Sequence, residues 1–254
     1  MPSRRALLHA AAAALFAPRA LRAAAPVRVA AASDLRFALE ALQAPFAAAG
    51  HPFTPTFAAS GALAAQITQG APFDLFLAAD PRHPRALADT GHADATTLAV
   101  YARGHLVLWL PAQSPLPATA TLATLATPAV RRVAIANPRH APYGQAAEAA
   151  LRAAGLWDAV SPKLVLGDNV AQAAQFVQSG AADAGLVARS LARAPALASA
   201  GRAIELPAVP PLEQTGVVLR AAADPAAAAA VLAALRAPAA QATLATFGFS
   251  PPPG

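Results

Sequence analysis

Short apolar runs alternate with alanine-rich helical segments along most of the chain. The pattern predicts strands over residues 27–33, 73–79, 105–111, 131–137, 163–167, 184–188 and 215–220. Between and after them it predicts helices over residues 34–49, 60–69, 81–90, 142–154, 170–179, 225–236 and 238–247. Glycines at 50, 70, 91, 155 and 180 follow the predicted helices as stop signals. The strand–helix alternation runs twice, which predicts an α/β fold with parallel sheets covered by helices, arranged as two lobes.

The N-terminal segment, residues 1–25, has the pattern of an export signal. Arg4 and Arg5 precede an apolar stretch, and three alanines precede Pro26. The run from Ser3 to Leu8 also resembles a twin-arginine signal. We therefore expect an exported, periplasmic protein; an amphipathic or unstructured tail is the alternative.

Composition and charge exclude several classes of function. Four of the 19 Lys and Arg residues lie in the leader, and the remaining 15 are nearly balanced by 13 acids. These basic residues are scattered, which argues against nucleic-acid binding. The chain has no cysteine, so disulfides and thiolate zinc sites are excluded. After the leader, no run of about 18 apolar residues lacks proline or charge, so no internal membrane span is expected.

Helix starts that directly follow strands are the candidate site. Two come from each half of the chain: Ser33-Asp34, Ser60-Gly61, Tyr143-Gly144 and Asn169-Val170. Ligands of open parallel sheets bind at the carboxyl ends of the strands, and helix N-termini carry free N–H groups and partial positive charge. Together these starts predict an anion site between the lobes. Taken singly, the Ser, Asp and Asn residues are also ordinary N-caps, and the tyrosine could be a core or hinge residue.

Five segments of the chain resemble the periplasmic molybdate-binding proteins of ATP-driven importers. They are AAASDLRFAL (30–39), FAASGALAAQITQGAPFDLFLAAD (57–80), VAIANPRHAPYGQAAEAALRAAGLWD (133–158), DNVAQAAQFVQSGAADAGLV (168–187) and FGF (247–249). The resemblance implies the two-lobed periplasmic-binding-protein fold of type II, with the ligand in the cleft. It implies lobe I over residues 26–103 and 217–254, lobe II over residues 104–216, and crossings near 103–105 and 214–216. The protein would be a monomer that delivers molybdate, and tungstate, to an ABC permease, without catalysis or cofactor.

The resemblance also implies a set of ligand contacts. They are Ser33, Asp34, Ser60, Tyr143 and Val170, which would hold the oxyanion by hydrogen bonds without bonding to the metal itself. Three positions depart from other members. Ala188 stands where some members place a tyrosine hydroxyl in the site, and those members have alanine at the position of Tyr143. Asp34 stands where others carry serine or asparagine.

Two other functions remain open on the sequence. The same fold could bind sulfate or phosphate, and an inward-facing Asp34 carboxylate could accept the proton of phosphate. A molybdate site instead requires that carboxylate to cap the helix or to pair with a cation such as Arg36, leaving the Asp34 N–H for the anion. A Ser-His-Asp hydrolase is the remote alternative, because the chain lacks a G-x-S-x-G elbow and its histidines lie in turn-like contexts.

Overall fold

The computed structural model describes residues 25–252. The predicted export signal, apart from its last residue, lies outside this range. The described residues form ten strands: β1 (Val27–Ala32), β2 (Phe53–Ala58), β3 (Leu75–Ala78), β4 (Ala99–Gly104), β5 (Leu106–Pro111), β6 (Val133–Ala136), β7 (Leu164–Gly167), β8 (Ala184–Ala188), β9 (Gly201–Glu205) and β10 (Leu212–Val218). They also form ten α-helices: α1 (Arg36–Ala48), α2 (Ser60–Thr68), α3 (Arg82–Asp89), α4 (Pro142–Ala153), α5 (Trp157–Val160), α6 (Val170–Gln178), α7 (Arg189–Ala192), α8 (Pro195–Ala198), α9 (Pro225–Leu235) and α10 (Pro238–Thr246).

The strands build two five-stranded sheets of the same design. The first has the order β2-β1-β3-β10-β4 and the second the order β7-β6-β8-β5-β9. In each sheet four strands run in one direction, and one strand next to an edge, β10 or β5, runs against its two neighbours. The predicted two-lobed, mainly parallel α/β fold is confirmed.

The two sheets are joined by a short and a longer crossing. His105 alone separates β4 of the first sheet from β5 of the second, close to the predicted first crossing. The second crossing spans residues 206–211, between β9 and β10. Sequence reasoning placed it at 214–216, but those residues lie inside β10 and pair with β3 and β4. Because Glu213 and Gln214 are polar, the pattern did not indicate that the strand begins before Thr215, although the Gln214 side chain is buried.

The C-terminal helices complete the first lobe. Helix α9 packs on β1, β3 and β10, and α10 packs on α1. The chain then returns to the crossing, where Ser250 bridges to Arg103 at the end of β4. No single helix of residues 25–252 is long and apolar enough to cross a membrane; α9 and α10 pass such a test only as a pair bent by 62°.

The helices begin at the carboxyl ends of the parallel strands, as the sequence predicts. A 3₁₀ turn (Ser33–Leu35) and α1 follow β1, α2 follows β2, α4 follows β6 and α6 follows β7. Since the parallel strands of each sheet end on one side, the starts of these helices gather at one edge of each lobe. This arrangement builds the cleft described next.

Candidate functional site

A small cavity lies where the helix starts of the two lobes meet. Its walls come from both halves of the chain: Ala32, Ser33, Asp34, Ala58, Ala59, Ser60 and Ala79 from the first lobe, and Ala141, Pro142, Tyr143 and Val170 from the second. The cavity volume is about 10 Å³, close to the minimum for one water molecule. The closed cleft therefore has no room for an organic solute. All five residues predicted for the site line it.

Ser60 opens α2 but does not cap it. The N-cap position belongs to Ala59, and the Ser60 Oγ accepts a hydrogen bond from the N–H of Ala79 at 3.0 Å. The expectation that Ser60 is an N-cap is therefore wrong. Its hydroxyl proton has no acceptor among the described residues, so the hydroxyl can still donate to a ligand in the cavity.

Ser33 and Asp34 form a 3₁₀ turn at the end of β1. Ala32 holds the N-cap position, and no side chain caps the turn, so the alternative reading of these residues as caps is also wrong. Both residues are buried, and both line the cavity.

The second lobe contributes the first turns of α4 and α6. Pro142 occupies the first position of α4, and its ring fixes the backbone ahead of Tyr143. Asn169 caps α6 as predicted, its Oδ1 accepting from the N–H groups of Ala171 and Gln172 at 3.0 and 3.1 Å. The cap leaves the Val170 N–H available for a ligand.

Backbone donors supply the positive potential of the site. The N–H groups of Ser60, Tyr143 and Val170 lie in the first turns of their helices and have no acceptor within residues 25–252. No lysine or arginine is among the residues that line the cavity. Helix N-termini favour anions through these donors and through the helix dipole. The site is therefore built to attract an anion without a cationic side chain.

The Asp34 carboxylate does not sit where sequence reasoning put it. Arg36 instead lies 3.8 Å from Glu40 and stacks over the ring of Phe57 at 4.8 Å. Asp34 is 1% exposed, and no hydrogen bond from the described residues reaches either of its oxygens with good geometry. Pairing with Arg36 and capping of the helix are both ruled out, because the turn directs this carboxylate into the protein.

The carboxylate belongs instead to a buried polar group at the first crossing. Burial raises the pKa of Asp34 to about 7, and the neighbouring Tyr143 hydroxyl and Gln214 amide lower it by less. Burial likewise raises the pKa values of Tyr101 and Tyr143, and the charge of Asp34 adds to both effects. The Tyr143 hydroxyl and the Gln214 Nε2 both pack against Gly104, where any β-carbon would collide with them. The group thus joins the cavity wall to the first crossing.

Hydrogen bonds hold the two lobes together around the cavity. The Gly61 N–H at the start of α2 donates to the carbonyl of His140 at 2.9 Å. On another side, the Ser190 hydroxyl of α7 donates to the carbonyl of Asp34 at 2.8 Å. Arg82 of α3 reaches Gln145 of α4 at the rim. The structure therefore shows the cleft closed.

Sequence reasoning missed the residues behind the cavity wall. Tyr101, Gly104, Ser190 and Gln214 carry no motif of their own. The first two lie on β4 and Gln214 lies on the neighbouring β10, whereas Ser190 comes from α7 of the second lobe. A polar glutamine in a strand pattern was the one available signal. Ala188 ends β8, is buried, and is not part of the cavity wall.

Comparison with known proteins agrees with the fold. Residues 27–250 match the family model for bacterial extracellular solute-binding proteins. The chain is 36% identical over 200 residues to the molybdate-binding protein ModA of Rhodobacter capsulatus, covering 79% of this chain and 78% of that one. It is 37% identical over 202 residues to ModA of Azotobacter vinelandii, covering 79% of each. The chain belongs to the molybdate-binding family of bacterial extracellular solute-binding proteins.

Solved structures place the fold in the same family. The Azotobacter vinelandii periplasmic molybdate-binding protein superposes with a TM-score of 0.81 at 32% identity, over 89% of this chain and all of that one. The sulfate-binding protein SubI of Mycobacterium tuberculosis superposes with a TM-score of 0.79 at 17% identity, over 90% and 87% of the two chains, a likeness of fold alone. Members of the family are transport binding proteins, so this protein is not an enzyme. The hydrolase alternative is excluded.

Proposed function

We propose that the protein captures molybdate, and tungstate, outside the cytoplasm and delivers it to the membrane permease of an ABC importer. The observation that carries the proposal is the closed cavity, which is lined by helix starts from both lobes and by no cationic side chain. The relatives named as molybdate-binding proteins supply the identity of the anion.

The proposed contacts follow from the donors that line the cavity. Ser33 and Ser60 would donate hydroxyl protons, and Tyr143 and Val170 would donate backbone N–H groups. Two donors from each lobe would then face the oxygens of a tetrahedral dianion, which stabilises the closed arrangement. The anion would be held by hydrogen bonds only, and the described residues contain no cluster of three or more His, Asp or Glu side chains able to ligate a metal ion. The proposal requires no cofactor and no second copy of the chain.

Sulfate and phosphate are the competing ligands. Sulfate is a smaller dianion that offers the same acceptors, so only the size of the closed cavity would reject it. Monohydrogen phosphate carries a proton and needs an acceptor in the site. Asp34 carries the only carboxylate among the residues that line the cavity, and burial disfavours the charged form that would accept this proton most strongly.

Calorimetric titration of anion-stripped protein tests the proposal. Molybdate, tungstate, sulfate and phosphate are titrated separately at pH 7 and at equal ionic strength. We expect tight one-to-one binding of molybdate and tungstate, weaker binding of sulfate, and the weakest binding of phosphate. Preference for sulfate or phosphate over molybdate would contradict the proposal.

A further inference from the structure

Asp34 is an acid in a site built for an anion. The residue lines the cavity, both oxygens of its carboxyl are buried, and no lysine or arginine of the described residues forms an ion pair with it. An ionised carboxylate in such a place lacks compensation from water or from a cation. A bound dianion would add repulsion across a short distance in a medium of low polarity. Asp34 is therefore the one lining group whose charge state decides whether the anion can bind.

The groups that face Asp34 from the packed elements are polar but mostly uncharged. They are the Tyr101 hydroxyl of β4, the Tyr143 hydroxyl of α4, the Gln214 amide of β10 and the Ser190 hydroxyl of α7, which bonds to the Asp34 carbonyl. Arg189 is a cation that acts on Tyr143, and its Nε donates to the carbonyl of Gly248 at 2.7 Å. The hydroxyl and amide groups cannot neutralise a carboxylate, whereas the Gln214 carbonyl and the tyrosine oxygens can accept a hydrogen bond from a carboxylic acid.

We propose that Asp34 is a specificity-determining residue that holds a proton in the complex, so that a fully deprotonated dianion and one proton bind together. This inference rests on the proposed function, because it concerns the charge of the same anion. The neutral acid removes the repulsion and turns an acceptor into a donor, directed to the anion or to the Gln214 and Tyr143 oxygens. A site lined by donors alone then favours anions that bring no proton, which are molybdate and sulfate rather than monohydrogen phosphate.

Because the anion and the proton bind together, the Kd for molybdate changes with pH in one direction. Burial raises the pKa of Asp34 to about 7 without ligand, and a bound dianion raises it further because it disfavours a second negative charge. Below pH 7 the acid already holds its proton, so the Kd for molybdate stays nearly constant. Above pH 7 binding must take a proton from solution, and the Kd rises by up to about tenfold per pH unit.

Calorimetry of molybdate binding at pH 6 and pH 8, each in two buffers of different ionisation enthalpy, measures this proton directly. Wild type should take up close to no proton at pH 6 and about one proton at pH 8. Asp34→Asn should take up none at either pH and keep a constant Kd from pH 6 to 9. Asp224→Asn, at the distant N-cap of α9, is the matched control and should behave as wild type. Wild type that binds molybdate at pH 8 without proton uptake, or Asp34→Asn that takes up the same proton, overturns the proposal.

Melting of the anion-free protein tests the acid separately from the ligand. A carboxyl whose pKa is raised in the folded state stabilises the protein at low pH, and that contribution is lost as pH rises from about 4 through 7. The Tm of wild type relative to Asp34→Asn should therefore fall between pH 4 and pH 8. Parallel Tm profiles of the two proteins overturn the proposal even if no anion binds. If the Tm difference between wild type and Asp34→Asn falls with pH but molybdate binds at no pH, the neutral acid is supported and only the proposed function is contradicted.

Discussion

The Ser60 hydroxyl illustrates how one side chain serves both the fold and the site. Its oxygen accepts from the Ala79 N–H, and its proton is free for the ligand. The sequence identified the residue but not the first of these roles, because the partner lies directly after β3 and the contact depends on the tertiary fold. Asp34 is a similar case. Its position was predicted, but its environment was not, since Tyr101 and Gln214 reach it from strands far along the chain.

Replacing Ser60 by alanine should weaken molybdate binding by about 1.5–3 kcal/mol, which is the usual loss for a hydrogen bond to a charged group. The variant should also melt earlier, because the buried Ala79 N–H loses its acceptor at a cost of about 1–3 kcal/mol. Calorimetric titration and thermal melting measure the two effects.

Thr68→Ala is the matched control for this variant. Thr68 lies at the other end of the same helix, is exposed, and bonds only to the Ala64 carbonyl of its own helix. Its loss should leave the affinity unchanged. If Ser60→Ala melts earlier but binds molybdate as tightly as wild type, the hydroxyl only supports the fold.

At the scale of elements, the repeated strand–helix pattern was enough to predict the seven longest helices and seven of the strands. The strands β2, β4 and β9 were missed. Strand β2 contains Pro55, and a proline inside an apolar run argues against a central strand. The proline is tolerated in the structure because β2 is an edge strand. The second crossing was misplaced because a buried glutamine in β10 looked like a loop residue. Pairing with both neighbours, rather than the local pattern, makes that segment a strand.

The cap of α6 gives a prediction at this scale. Asn169→Ala removes the acceptor of two N–H groups and should lower the free energy of unfolding by about 1 kcal/mol. Because the cap also fixes the turn that presents the Val170 N–H, the Kd for molybdate should rise. Denaturant unfolding and titration of the same sample measure both quantities.

A cap far from the cavity separates the two effects. Asp224 caps α9 and accepts from the Ala227 N–H at 2.9 Å. Asp224→Ala should cost a similar free energy of unfolding and leave the Kd unchanged. Equal changes in Kd for both variants would mean that loss of stability, rather than the geometry of α6, weakens binding.

For the whole molecule, the two crossings predict a hinge. The lobes are joined by His105 and by residues 206–211, and the hydrogen bonds that close the cleft include Gly61–His140, Ser190–Asp34 and Arg82–Gln145. Without an anion the helix starts face each other with like partial charges, so the lobes should separate. A bound dianion would bring them together.

Small-angle X-ray scattering with and without molybdate measures this movement. We expect the radius of gyration to decrease on binding, and the scattering of the complex to fit the closed structure described here. An unchanged radius of gyration in a sample whose binding is confirmed by calorimetry would exclude the hinge.

The central claim is that one oxyanion binds between the helix starts of the two lobes. Crystallographic diffraction from the molybdate complex at the molybdenum absorption edge tests it most directly, because anomalous scattering locates the metal atom itself. The account predicts one strong peak in the cavity, with anion oxygens about 2.7–3.2 Å from the Ser33 and Ser60 hydroxyls and from the Tyr143 and Val170 N–H groups. A peak at another place, or none in this cavity, would contradict it.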